Sequence, residues 1–365
     1  MGNFESHVFP TNLDNMNDFF IRAITADLWF GFWYPFDGVD NQDEAVAVRT
    51  KNGGATWDDL YAAPTIGGLT RAWQDIRRDA AGRLWGVTCE VGGSTPRSHM
   101  EIWYSDDSGD TWTESKDDTD TVNQQRIMHV VPHPTNRDRI AIMGKSGGTS
   151  RNCVTWITTD RGANWTKNVV NTLFVNGGFF KKFDRMMLAS NRIVQIGHGA
   201  APAEGDFNVW TSDDNGLSWQ PRLVITKQGA GVDFGYGPVG SALGGTLYIM
   251  WENNDVNPRD IQIYQSTDQG QTWTPIVSAA LGNKPPQPDP AFDIYAGGLD
   301  FDPVEGALYL FGAGEGNANN IAQVVKSTGL GWPDVSDALL PLSGHASYSF
   351  ASTGQTTHGI VVIPS

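Results

Sequence analysis

Acidic and aromatic side chains recur together along this chain, in and beside loops that join short apolar runs. Trp33 and Tyr34 precede Asp37, Asp40 and Asp43, and Trp251-Glu252 precedes Asp255. Asp75, Glu90, His129, His198, Asp233, Glu315, His345 and Tyr348 occupy comparable places at the start or end of other runs. Two carboxylates about 5–10 Å apart can cleave a glycosidic bond, one as acid and the other as base or nucleophile. Aromatic faces stack on sugar rings. The catalytic candidates are therefore Asp40, Asp43, Glu252, Glu315 and Tyr348, and the ligand-binding candidates are Trp33, Tyr34, Trp251, Glu252, His198 and Arg22. The plain alternative for any one of them is a solvated loop residue on an acidic protein. No metal-ligand spacing appears and no cofactor is expected.

Short strands must position these residues. The runs Phe19–Ile24, Leu28–Tyr34 and Ala45–Arg49 open a pattern that repeats five more times. β-Branched and aromatic residues fill the runs, and glycine, proline and asparagine bound them. No long amphipathic helical pattern is present. Each third run ends in a turn of the form S-x-D-x-G-x-T-W. The clearest copy is Ser105, Asp107, Gly109, Thr111 and Trp112. The short acid is expected to bond the turn's own N–H groups, with the glycine at positive φ. The tryptophan is expected as the first buried residue of the returning strand.

Further copies are Thr50/Asn52/Gly54/Thr56/Trp57, Thr158/Asp160/Gly162/Asn164/Trp165, Ser212/Asp214/Gly216/Ser218/Trp219 and Ser266/Asp268/Gly270/Thr272/Trp273. A worn sixth runs from Ser327 to Trp332. The six tryptophans step by 55, 53, 54, 54 and 59 residues. That period fits four strands and their turns, one propeller blade. The expected fold is an all-β, single β-propeller domain over residues 1–365, with four-stranded antiparallel blades. The runs Ala346–Ala351 and Gly359–Ile363 read as two strands of a further blade, completed by residues near Phe4–Phe9. Seven blades closed by both termini are preferred, with six as the alternative.

These turns resemble the Asp-boxes, or BNR repeats, of sialidases, xyloglucanases and related propellers. In that superfamily the boxes lie on the face opposite the active site, so the resemblance implies that they are structural fasteners. Arg22 and the Tyr348-Ser349 pair resemble a first-strand arginine and a nucleophilic tyrosine of sialidases. Asp40 and Asp43 stand where the acid/base aspartate would be. The remaining two arginines of that pattern are missing: Trp33–Phe36 and Asn319-Asn320 occupy the places where they would stand, and Trp251–Asn253 after the fifth repeat's second run holds none either. A sialic acid carboxylate needs that guanidinium grip, so sialidase activity is not expected.

Composition narrows the classes further. A net charge of −16 argues against nucleic-acid partners. Cys89 and Cys153 fall in strand-like runs of different repeats and read as core thiols. The N-terminal residues carry no secretion signal, and no run is long enough for a membrane span. Synthesis in the cytoplasm is expected, with a later place on a virion or outside the cell. These absences favour a non-catalytic recognition or structural module that binds a surface glycan or another protein of an assembly. The alternative is a glycoside hydrolase acting on a neutral glycan through a carboxylate pair. If the tail closes the fold, deleting Gly359–Ser365 will expose an unpaired sheet edge. Loss of the cooperative transition in calorimetry is expected, and a deletion that melts like the full chain counts against closure.

Overall fold

The computed structural model describes residues 16–25, 27–35, 46–53, 55–58, 61, 63, 71–90, 99–119, 125–146, 153–170, 185–198, 206–226, 234–240, 245–253, 260–277, 293–302, 307–315 and 321–327. Among them every regular element is a strand, and all the pairings are antiparallel. The strands divide between two compact units of three sheets each.

The first unit begins with β1 (Met16–Ala23), β2 (Trp29–Pro35) and β3 (Val46–Thr50). Its second sheet comprises β4 (Arg71–Arg78), β5 (Leu84–Glu90), β6 (His99–Ser105) and β7 (Thr113–Thr119). The third comprises β8 (Gln125–Pro132), β9 (Ile140–Ser146), β10 (Cys153–Thr158) and β11 (Thr166–Val170). The second unit holds β12 (Arg185–Met187), β13 (Ile193–His198), β14 (Phe207–Ser212) and β15 (Gln220–Ile225) in its first sheet. Its next sheet is β16 (Phe234–Gly240), β17 (Leu247–Asn253), β18 (Asp260–Ser266) and β19 (Thr274–Val277). Its last is β20 (Asp293–Asp302), β21 (Ala307–Glu315) and β22 (Ile321–Ser327). Each sheet is a simple up-and-down meander in chain order. The expected seventh blade, from Phe4–Phe9, Ala346–Ala351 and Gly359–Ile363, lies outside the described residues.

The cores lie between sheets. Phe30 and Ala47 of the first sheet pack with Trp73, Ile76, Leu84 and Trp103 of the second. Trp85, Val87, Met100 and Ile102 on its other face meet Val130, Ile140, Ile142 and Val154 of the third. A middle strand is therefore covered on both sides, and β10 and β14 are buried along their whole length. The outer strands β11 and β15 are mostly half-exposed or exposed. Cys89 and Cys153 are buried free thiols, as expected.

Each box begins on the last residue of a third strand. In the second sheet the Ser105 hydroxyl donates to Asp107 Oδ1 at 2.7 Å and accepts the Gly109 N–H at 2.9 Å. Asp107 then accepts the Thr111 N–H at 2.9 Å and the Thr111 hydroxyl at 2.6 Å. The boxes at Thr158, Ser212 and Ser266 repeat this arrangement. The first box keeps it with asparagine by reversing one donor: Asn52 Nδ2 donates to the Thr56 hydroxyl at 2.8 Å. The turns are left-handed at two successive residues, Ser108-Gly109, Arg161-Gly162, Asn215-Gly216 and Gln269-Gly270. Sequence called for positive φ at the glycine alone. The residue before it joins because a type I′ turn needs both central positions left-handed to follow the strand twist.

The box also fastens its sheet to the preceding one. A Cβ on Gly162 would stand 2.6 Å from a ring carbon of Trp85, and one on Gly270 would stand 3.1 Å from Val194. Trp165 Nε1 donates to the Ser115 hydroxyl at 3.0 Å, which donates to the Gly162 carbonyl at 2.9 Å. Tyr61 takes the same part between Trp112 and the Gly109 carbonyl, and its burial pushes the phenol up to about 12.

These bonds hold the box acids ionised. The Asn164 side chain and amide, with Thr158, bring Asp160 down to about 2. Burial raises Asp268, but the Thr272 hydroxyl and amide and the Ser266 hydroxyl outweigh it and hold the acid at about 2. Both lie below the ordinary 3.8, so the stabilisation is complete above pH of about 4 and is lost as pH falls towards 2. Thermal melts should show a falling Tm over that window. Asp268→Asn, which copies Asn52, should make the fall shallower. Parallel Tm curves for variant and parent would refute this account of the boxes.

Candidate functional site

Two ends of each sheet must be told apart. The box residue pairs with the start of the second strand: Thr50 with Trp29, Ser105 with Leu84, Thr158 with Ile140, Ser212 with Ile193, and Ser266 with Leu247. The second strand then runs away from the box for about 20 Å, given six or seven residues at about 3.3 Å each. Its far end is where the candidates stand. β5 ends at Glu90, β13 at His198, β17 at Glu252-Asn253 and β21 at Glu315, while Trp33 and Tyr34 are next to the end of β2. The fasteners and the acidic–aromatic positions thus occupy opposite ends of the sheets.

Within the second unit, the sheets carrying His198, Glu252 and Glu315 are neighbours. β16 lies against β13 and β20, and β17 also reaches β20. Register places Glu252 opposite Phe234 and Ile261, and His198 opposite Phe207. Glu315 is directly opposite Asp293, the first residue of β20. Sequence reasoning missed Asp293, which was not among its candidates. The signal was the acid opening the alternating segment Asp293-Ile294-Tyr295.

In the first unit Arg22 is opposite Phe30, Trp33 opposite Phe19, and Tyr34 opposite Asp18. Asp37, Asp40, Asp43, Asp233, Asp255, His345 and Tyr348 lie outside the described residues.

Trp251 requires a correction. Expected as a ligand-stacking aromatic, it is only 2% exposed and packs in the core with Leu188, Val194, Phe207 and Ile249. A ring enclosed by two sheets has no face to offer a sugar. Its pairing with Gly235 explains the fit, since a glycine leaves room for an indole on the neighbouring strand. Asp75 is likewise fully buried and accepts the Val130 N–H at 3.0 Å. Among the described residues, no group of His, Cys, Asp or Glu is arranged to hold a metal ion.

Comparison with known proteins bears on the fold. The Sortilin-Vps10 family model (sortilin, neurotensin receptor 3) matches residues 100–228. A xyloglucanase of Hypocrea jecorina is 25% identical over 276 residues, covering 60% of this chain and 31% of its own length. A sialidase of Clostridium perfringens is 28% identical over 162 residues, covering 35% and 40%. The matched stretches therefore span well under half of these relatives. Among solved structures, an α-L-arabinofuranosidase of Fusarium graminearum with an iminosugar inhibitor aligns at TM-score 0.52 and 15% identity, over 90% of this chain and 98% of that one. An ulvan lyase bound to -[GlcA(1-4)Rha3S]- aligns at 0.56 and 12%, over 93% and 88%. The fold shared with these structures is an all-β propeller.

Replacing Trp251 with Ala should cost about 3–5 kcal/mol in chemical denaturation, as for a large core aromatic. Glycan affinity per folded molecule should stay at the parent level. Loss of affinity without loss of stability would return Trp251 to the binding surface.

Proposed function

We propose that the chain is a carbohydrate-active β-propeller, one domain of seven blades closed by both termini, that hydrolyses a neutral glycan through a carboxylate pair. The observation that carries this reading is the register of the last described sheet. Directly opposed residues of an antiparallel pair hold their Cβ atoms about 5 Å apart, and like charges there are destabilising. Asp293 and Glu315 form such a pair at the sheet end away from the boxes, beside the sheet that carries Glu252. A pair of this kind suits glycoside cleavage, because repulsion keeps one carboxyl protonated as the acid while the other stays ionised.

The xyloglucanase, the sialidase and the arabinofuranosidase are glycoside hydrolases by name, which supports hydrolysis over the non-catalytic module that the sequence favoured. A neutral substrate follows from the missing arginines and the acidic site positions, since Glu252 would repel a carboxylate-bearing sugar. Trp33 and Tyr34 in the first unit and His198 in the second remain ligand-binding candidates, whereas Arg22, opposite Phe30 beside the box-paired Trp29, stands at the box end of its sheet and is set aside.

The test is turnover of a panel of fluorogenic arabinosides, xylosides and glucosides and of xyloglucan oligosaccharides, beside a fluorogenic sialoside. Cleavage of a neutral member is expected, with Glu315→Gln and Asp293→Asn each lowering kcat by about a hundredfold or more. The sialoside should stay intact. Binding without turnover across the panel would overturn the hydrolase reading and favour a recognition module.

A further inference from the structure

The innermost strands of the second and third sheets hold a polar cluster that the boxes and the sheet-end acids leave unused. Both strands carry a bulge, between Trp73 and Asp75 in β4 and between Arg126 and His129 in β8. After the bulge Asp75 is opposite Val87 and His129 opposite Met143. Val87 and Met143 each stand three residues beyond the box-paired starts of their strands, Leu84 and Ile140. Asp75 and His129 therefore hold equivalent positions in adjacent sheets, and β4 packs against β8.

Two donors bond one oxygen, and a histidine ring nitrogen stands near it. Asp75 Oδ2 accepts the Val130 backbone N–H at 3.0 Å and Arg77 Nε–H at 3.2 Å. His129 Nδ1 is 3.8 Å from the same oxygen. The Asp75 side chain is 0% exposed, while those of Arg77 and His129 are 26% and 12% exposed. An ionised carboxylate cut off from water requires such partners. Val130 is on the sheet's inner edge strand, so the carboxylate also satisfies an edge N–H. β5 faces Asp75 with Gly86, Val87 and Thr88, and Arg49 of β3 is engaged by Asp58 and Asp110.

We propose that Asp75 is a proton-sensitive latch between the second and third sheets, tightened when His129 gains a proton. Protonated His129 sets a second cation against the buried carboxylate at a distance where opposite charges attract. The second cation exists only while His129 holds its proton, so the latch is tightest in mildly acidic solution and eases as pH rises towards 8.

The test compares the full chain with His129→Gln and Asp75→Asn by thermal melting from pH 5.5 to 8, and by hydrogen exchange at the Val130 amide. The gap in Tm between parent and His129→Gln should widen by about 2 °C on going from pH 8 to 5.5. In Asp75→Asn the Val130 amide should exchange about tenfold faster. A gap that stays constant over that range would overturn the proton dependence, and an unchanged Val130 rate would overturn the latch. If Asp75→Asn does not fold, His129→Gln at its half-buried site still decides the matter.

Discussion

The side chain of one aspartate or asparagine per box sets the geometry on which the sheets rely. Asp107 cannot bond the Thr111 amide and hydroxyl unless the chain reverses through two left-handed residues. Left-handed backbone costs about 1–2 kcal/mol at a residue with a Cβ, and Ser108, Arg161, Asn215 and Gln269 all adopt it. The carboxylate bonds of Asp107, Asp160, Asp214 and Asp268 offset that cost. The reversed turn then brings its glycine against the preceding sheet, where no side chain would fit, as the approach of Gly162 to Trp85 shows. A local hydrogen-bond pattern thereby becomes a joint between sheets.

Carboxylates serve different ends of the sheets under different rules. At the box end they are saturated with donors, and Asp106 and Asp213 add paired guanidinium bonds from Arg83 and Arg192. Such acids are held ionised and are unsuited to proton transfer near neutral pH. At the other end Asp293 and Glu315 oppose each other across a hairpin, which stabilises nothing by itself. The box acids are thus accounted for by their donors, and the pair at the other end is the one on which the proposed hydrolase reading rests.

The repeat was legible because it is written in local terms. A 54-residue step, an acid and glycine at fixed offsets, and apolar runs between them fix strands and turns without knowledge of their neighbours. What sequence could not supply is which face of a run meets another sheet. Trp251 and Glu252 are adjacent in the chain and were read together, yet Trp251 belongs to the core. In a stacked sheet both faces of a middle strand are buried, so the alternation that separates inside from outside in a one-sided sheet is absent. Bulges blurred the pattern further: one extra residue before Asp75 and one before His129 change which side chains share a face.

The site was harder to read than the fold for a related reason. The carboxylates proposed to act here stand at the ends of different strands, so no local motif carries them. The resemblance to sialidases directed attention to Arg22, Asp40, Asp43 and Tyr348, whose significance depends on arginines this chain lacks. Register requires no such precedent. It opposes Asp293 and Glu315, residues separated by a bulged hairpin whose slip between Ala296 and Gly298 fixes their pairing. Without that slip Asp293 would move one position along β21 and no longer stand opposite Glu315. The bulge in an innermost strand, which in the first unit aligns Asp75 with His129, in the second aligns two acids at the sheet's far end.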